Sequence, residues 1–173
     1  MIPSKLTLGI CLASGLALSH VHGQSVLFSD DFNSNTAANW SLFQGSGNNT
    51  PDYTAEFAFD YGSTTFVRNG VTNTIPPSPN GGGTTKGLKL TVNNNDETAA
   101  TSAVSLYPTA HTFSGNYSLR FDMWMNYNGG AWGGTGSTES ATFGVNHVGD
   151  KVNWNNNTFP SDGIWFAVSG EGG

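Results

Sequence analysis

The chain has 173 residues, 6 basic and 12 acidic side chains, and a formal net charge of −6, with charged residues making up only 10% of it. Ordinary soluble domains run at roughly 25% charged, so Asn, Thr, Ser and Gly carry the solubility here. A lysine-poor, acidic surface excludes an electrostatic grip on DNA, RNA or anionic membrane, and the single cysteine excludes an internal disulfide framework or a CxxC redox site.

Taken in chain order, the first segment is a leader. Lys5 supplies a positive start, Leu6 to Ser19 is apolar, and Val21-His22-Gly23 offers a cleavage site before Gln24. The apolar run is shorter than the roughly 20 residues a membrane-spanning helix needs. The reading is a signal peptide over 1–23, removal of which takes Cys11 and Lys5 with it. Five basic and 12 acidic residues then remain, a net of −7. About 150 residues are enough for one domain that relies on its core alone. The expected location is secreted, extracellular or at the cell envelope, with no stable membrane insertion once the leader is removed.

No convincing helical pattern follows. Strand-like runs succeed one another, punctuated by Gly, Asn and Pro. Ser25–Phe32 is the first. Tyr53–Tyr61 alternates, with Tyr53, Ala55, Phe57, Phe59 and Tyr61 on the inner face and Thr54, Glu56, Ala58 and Asp60 outside. Gly87–Asn93 places Leu88, Leu90 and Val92 inside, and Ala103–Tyr107 is a short apolar strand. Tyr117–Tyr127 alternates strictly over eleven residues, the mark of a strand with one face in a core. Ser140–Val145 and Gly163–Ser169 complete the set. Two loops stand out: Asn69–Thr85, rich in Pro, Gly and Asn, and Asn128–Thr138, a glycine-rich loop around Trp132 that lacks the GxxxxGK[ST] pattern of a phosphate loop. Short strands without helices predict an all-β fold, an antiparallel β-sandwich or jelly roll. Residues 24–173 form that one domain. Because the sequence stops directly after a good strand, its closing strands are expected to be missing.

The opening SVLFSDDFNSNTAANW resembles the entry of concanavalin A-like lectin/glucanase jelly rolls, and FDMWMNYNGG, GGTGSTESATFGV and SDGIWFAVSGEGG are similar to secreted bacterial proteins with that sandwich, many of which carry a PEP-CTERM sorting tail. The resemblance covers most of 24–173. It implies a concave sheet face that binds glycans and, in some branches, hydrolyses them. The laminarinase-like branch carries Glu-x-Asp-x-x-Glu or Glu-x-Asp-x-Glu on one strand. Of the four glutamates here, Glu56, Glu97, Glu139 and Glu171, none sits in that pattern. Arg120 stands where a nucleophilic glutamate would be needed. Retaining hydrolysis needs carboxyl groups about 5–5.5 Å apart and inverting hydrolysis about 6.5–9.5 Å. Asp122 has no carboxylate neighbour along its own strand, while Glu56 and Asp60 share a face at roughly 13 Å. A carboxylate pair formed across strands stays open at this point. Hydrolysis is the less favoured reading.

The outer face of Tyr117–Tyr127 carries the candidate site. Arg120, Asp122, Trp124 and Asn126 recur every second residue, about 6.5–7 Å apart, as a polar row roughly 20 Å long. Such a row can hold a sugar chain, with the Trp124 indole against a pyranose face and Asp122 and Asn126 bonding hydroxyls. The competing reading packs Trp124 under a loop or the second sheet and pairs Arg120 with Asp122. Trp132 and Trp154 are either loop clamps over a ligand or plugs at the end of the sandwich. Trp165, between Ile164 and Phe166, is read as buried core.

Beyond the leader only His111 and His147 occur, too few for a zinc site without cysteine. His147 with Asp150 could formally supply a triad, but no G-x-S-x-G elbow accompanies it. No cofactor is required. An optional structural Ca²⁺ has oxygen ligands available at Asp30–Asp31, Asn93–Asp96 and Asp150 with Asn153, all of which also make ordinary Asx turns. Sequons at Asn39, Asn48, Asn116 and Asn156 are read as products of a chain rich in Asn, Ser and Thr. The function expected is a lectin-like module for a neutral extracellular glycan or cell-surface polysaccharide, with a structural or adhesion domain as the alternative.

Overall fold

The computed structural model describes residues 25–47, 49–68, 70–94, 101–125, 140–154 and 161–169. The leader, the glycine-rich loop, Asn126, Tyr127, Trp132, the sequons at Asn48 and Asn156, and Glu97, Glu139 and Glu171 lie outside these. The strands are β1 (Trp40–Ser46), β2 (Tyr53–Asp60), β3 (Thr65–Arg68), β4 (Val71–Thr74), β5 (Lys86–Val92), β6 (Ser102–Pro108), β7 (Ser140–Val145) and β8 (Ile164–Ser169). Helical structure among the described residues is confined to 3₁₀ turns at Ala37–Asn39 and Tyr61–Ser63. The fold is all-β and antiparallel. Its ladders are two-stranded: β1 with β6, β2 with β5, β3 with β4, and β7 with β8. No helix among the described residues is long and apolar enough to cross a membrane.

The β2–β5 ladder follows the alternation of both strands, pairing Tyr53 with Val92, Ala55 with Leu90 and Glu56 with Lys89. The register then shifts, so that Phe59 faces Gly87. Three steps on β2 meet two on β5, a bulge at which Ala58 takes a left-handed φ of 59°. The extra residue turns the strand over. Phe57 keeps its inner contact with Phe32, ring centroids 6.1 Å apart, whereas Phe59 comes to the face of Glu56 and Lys89, with the Lys89 ammonium 4.5 Å from its ring centroid. A uniform inner face running from Tyr53 to Tyr61 is therefore corrected at Ala58.

Two expected strands do not form as ladders. Ser25–Phe32 is interrupted by a left-handed φ of 53° at Phe32, and it packs instead through rings, with Phe28 edge-on to Trp40 at 5.3 Å and Phe32 against Trp40 at 5.6 Å. Asp30 stabilises this turn, accepting from Phe32 N at 2.9 Å and from Trp40 Nε1 at 2.8 Å. Residues 117–125 belong to no ladder. Their alternation is spent on two different neighbours. Tyr117 donates to Asn146 Oδ1 at 2.9 Å and Phe121 lies edge-on to Phe143 of β7 at 4.9 Å, while Asp122 and Trp124 turn toward residues 66–80. β1 and the β3–β4 hairpin are additions to the expected set.

Residues 61–85 make a closed excursion between β2 and β5. Tyr61 N donates to Thr85 O at 2.9 Å across the neck, and Ile75 N donates to Thr64 O at 3.2 Å inside it. Ile75 is buried there. The other buried point lies over the β1–β6 ladder, where Val152 and Trp154 cover Gly45, and buried Asn153 donates from its N to Ser105 Oγ of β6 at 3.0 Å.

Candidate functional site

Two of the six sequence-nominated residues, Asp122 and Trp124, cluster beside the 61–85 excursion. Asp122 accepts three hydrogen bonds: from Ser78 Oγ, a short contact, from Asn80 N at 2.9 Å, and from Asn80 Nδ2 at 2.7 Å. These donors, the Ser78 hydroxyl foremost, hold its carboxyl below the usual carboxylate range. Two residues on, Trp124 is 45% exposed, and its indole rests on Phe66 with ring centroids 5.1 Å apart. Arg120 is exposed. An indole, a carboxylate, an amide and a hydroxyl thus share one solvent-facing patch. The Ser78 and Asn80 contribution was not legible in the sequence, which placed both in a loop without a partner.

Asn126 and Trp132 lie outside the described residues. Trp154 is 7% exposed and packs over Gly45 and beside Val152, with no face turned to a ligand. Trp165 is half-buried rather than core, and its neighbours Ile164 and Phe166 are 58% and 61% exposed.

The carboxylates do not assemble into a hydrolytic pair on β2. Glu56 lies 3.9 Å from the Lys89 ammonium, and the bulge carries Asp60 to the opposite face, where it pairs in register with Lys86. Asp60 accepts from Thr85 Oγ1 at 2.8 Å and Gly62 N at 3.0 Å, and these donors lower its pKa. The calcium candidates that are described have partners of their own. Asp31 accepts from Asn33 N and Nδ2, Asn94 N donates to Asp52 Oδ1 at 2.8 Å, and Asp150 meets Lys151 Nζ at 3.2 Å. Asn95 and Asp96 lie outside the described residues. Among the described residues no group of three or more His, Cys, Asp or Glu is placed to hold a metal. A shallow hollow of about 370 Å³ is lined by Ser29, Asp30, Asp31, Thr36 and Asn39.

A second polar cluster forms around His147. Its carboxylate partner is Asp162, with Nδ1 to Oδ1 at 3.2 Å, and not Asp150. Asp162 also accepts from Val148 N at 3.0 Å and faces Lys151 Nζ at 3.5 Å. The imidazole sits against the Tyr107 ring at 5.8 Å, between Gly144 and Gly163, where a Cβ would come within 2.6 Å of Nε2 and 2.7 Å of Nδ1 respectively. This arrangement joins the β7–β8 hairpin to β6. Glycines immediately before β8 and within β7 were the sequence signal for it, but only the fold brings them to one ring.

No protein-family model matches this chain, and no curated protein and no solved structure matches it.

Proposed function

We propose that the protein is a secreted carbohydrate-binding module, its ladders forming part of a jelly-roll sandwich, and that it takes a neutral glycan at the surface around Trp124. The observation that carries this is the exposed indole braced by Phe66 beside the Asp122, Asn80 and Ser78 cluster. An indole face suits the C–H face of a pyranose, while neighbouring amide and hydroxyl groups suit its hydroxyls. Arg120, exposed two residues before Asp122, and Asn126 and Trp132 are nominated by the sequence alone. The low charge of the chain fits an uncharged ligand. Hydrolysis is disfavoured because the Asp122 carboxylate is already held by three donors.

A glycan-array screen tests the proposal, followed by Trp124→Ala. Binding to a defined glycan that disappears in the variant while its cooperative melt is retained supports it. A folded protein that binds no glycan sinks it and favours the second reading, a structural or adhesion domain. That reading has its own support in the apolar side chains left open to solvent, including Phe121 at 48%, Phe166 at 61% and Val168 at 39% exposure, since exposed apolar patches mark association surfaces.

A further inference from the structure

We infer that Asp122 is a positioning residue, which fastens the Ser78–Thr84 loop beside Trp124 so that this loop, rather than the aspartate, selects the ligand. The inference rests on the glycan-binding reading of that surface. The loop is held at two places. At its neck the Tyr61 phenol accepts from Ser78 N at 3.0 Å and donates to Thr84 O at 3.1 Å, so one oxygen joins the two ends. On its first turn Asp122 takes the Ser78 hydroxyl and both nitrogens of Asn80. Inside the loop Gly81 N donates to Ser78 O at 3.1 Å and Thr84 N to Gly81 O at 3.3 Å. Its tip is bare. Gly82 and Gly83 have φ of 65° and 88°, and a Cβ at either would meet nothing within 4 Å.

The chemistry follows from which lone pairs and donors are left. The Asp122 carboxylate is occupied by donors from the loop, so it offers little to an incoming hydroxyl. Asn80, with its Nδ2 turned to Asp122, presents its Oδ1 as an acceptor. A loop closed at the neck and fastened on one side loses little freedom when a ligand arrives, and ordering freedom lost on binding is a main cost of recognition. Loops positioned by a rigid scaffold are also where binding selectivity commonly resides.

The test uses the full chain and three variants: Asp122→Asn, the swap Asp122→Asn with Asn80→Asp, and Tyr61→Phe. Asp122→Asn keeps shape and folding at an exposed position but places an amide against an amide. The swap restores a complementary pair. Amide hydrogen exchange is followed at Asn80, Gly81 and Thr84, and each variant is screened on the same glycan array as the wild type. The expected result is exchange about tenfold faster or more in the loop for Asp122→Asn, the scale of a lost charge-assisted hydrogen bond, with a changed glycan profile, and return of both in the swap. Tyr61→Phe gives the same loosening from the other side. Weaker binding by Asp122→Asn with loop exchange unchanged overturns the inference, because the carboxylate then touches the sugar itself. A loosened loop with an unchanged glycan profile overturns the claim of selectivity. A wild-type protein that binds no glycan overturns the surface reading and the selectivity with it, while the exchange data still decide whether Asp122 is the fastening.

Discussion

Trp154 lies directly on Gly45 of β1, and the missing side chain there is what lets the indole reach the ladder. A Cβ at Gly45 would overlap the Trp154 ring and stand 3.0 Å from Val152 Cγ1. Gly45→Ala is therefore expected to destabilise the protein by about 1–3 kcal/mol, the range for an overpacked site. Trp154→Ala is expected to cost about 3–5 kcal/mol, as for other buried aromatic truncations. Chemical denaturation checks both. A Gly45→Ala midpoint equal to that of the wild type would show that the indole is not seated there.

Gly163→Ala should loosen the His147 cluster. The position has a φ of +75°, and a Cβ would come within 2.7 Å of both His147 Nδ1 and Val145 O. Left-handed backbone alone costs an L-residue about 1–2 kcal/mol. Adding His147→Ala removes the ring clash but not the backbone strain, so the double variant should recover only part of the loss. A double-mutant cycle in urea measures this. Full additivity would separate the two sites.

Acid should weaken the fold through its held aspartates. Asp60, Asp122 and Asp162 are all lowered in the folded state, chiefly by the Thr85 hydroxyl, the Ser78 hydroxyl and the Val148 amide respectively. A depressed folded pKa contributes stability above the unfolded value, near 3.9 for Asp, and that contribution is lost as pH falls through the folded value. Melts taken from about pH 6 downward should show a falling Tm below about pH 4. Asp60→Asn with Asp122→Asn should flatten that fall. An unchanged acid slope in the double variant would mean that other carboxylates dominate.

The Tyr107 phenol should ionise late. Burial pushes its pKa up, against a smaller lowering by the Ser105 hydroxyl. Spectrophotometric titration of the wild type against Tyr107→Phe should place this phenolate above the ordinary value of about 10. Ionisation at or below that value would mean the ring is solvated.

Much of the strand content was legible, and the reasons for the rest are specific. β5, β6, β7 and β8 follow apolar or alternating runs closely. β1 was hidden because its sequence, WSLFQGS, carries a glycine that reads as punctuation but serves as a seat for Trp154. β3 lay outside the expected set and β4 fell inside the Asn69–Thr85 loop, although Asn69-Gly70 between Phe66-Val67 and Val71-Thr72 is a hairpin signal. Tyr117–Tyr127 misled in the other direction. Alternation reports that a segment has two unlike sides, not that a strand lies beside it, and here the sides serve β7 and the 61–85 excursion. Of the site, the residue types on that segment could be read in advance. The loop donors that occupy Asp122 could not, since a contact across 42 residues leaves no local trace.

The bulge at Ala58 also makes β2 a counting device. Strand residues before it and after it obey opposite parity in the numbering, because one residue between Glu56 and Phe59 is extra to the register with Lys89 and Gly87. Deleting Ala58 would bring Glu56, Phe57, Phe59 and Asp60 opposite Lys89, Leu88, Gly87 and Lys86 in unbroken register, leaving Phe59 on the Lys89 face and Asp60 at the Thr85 hydroxyl. β2 can therefore lose Ala58 without turning any other side chain over, whereas an extra residue elsewhere in the strand would reverse the faces on one side of it.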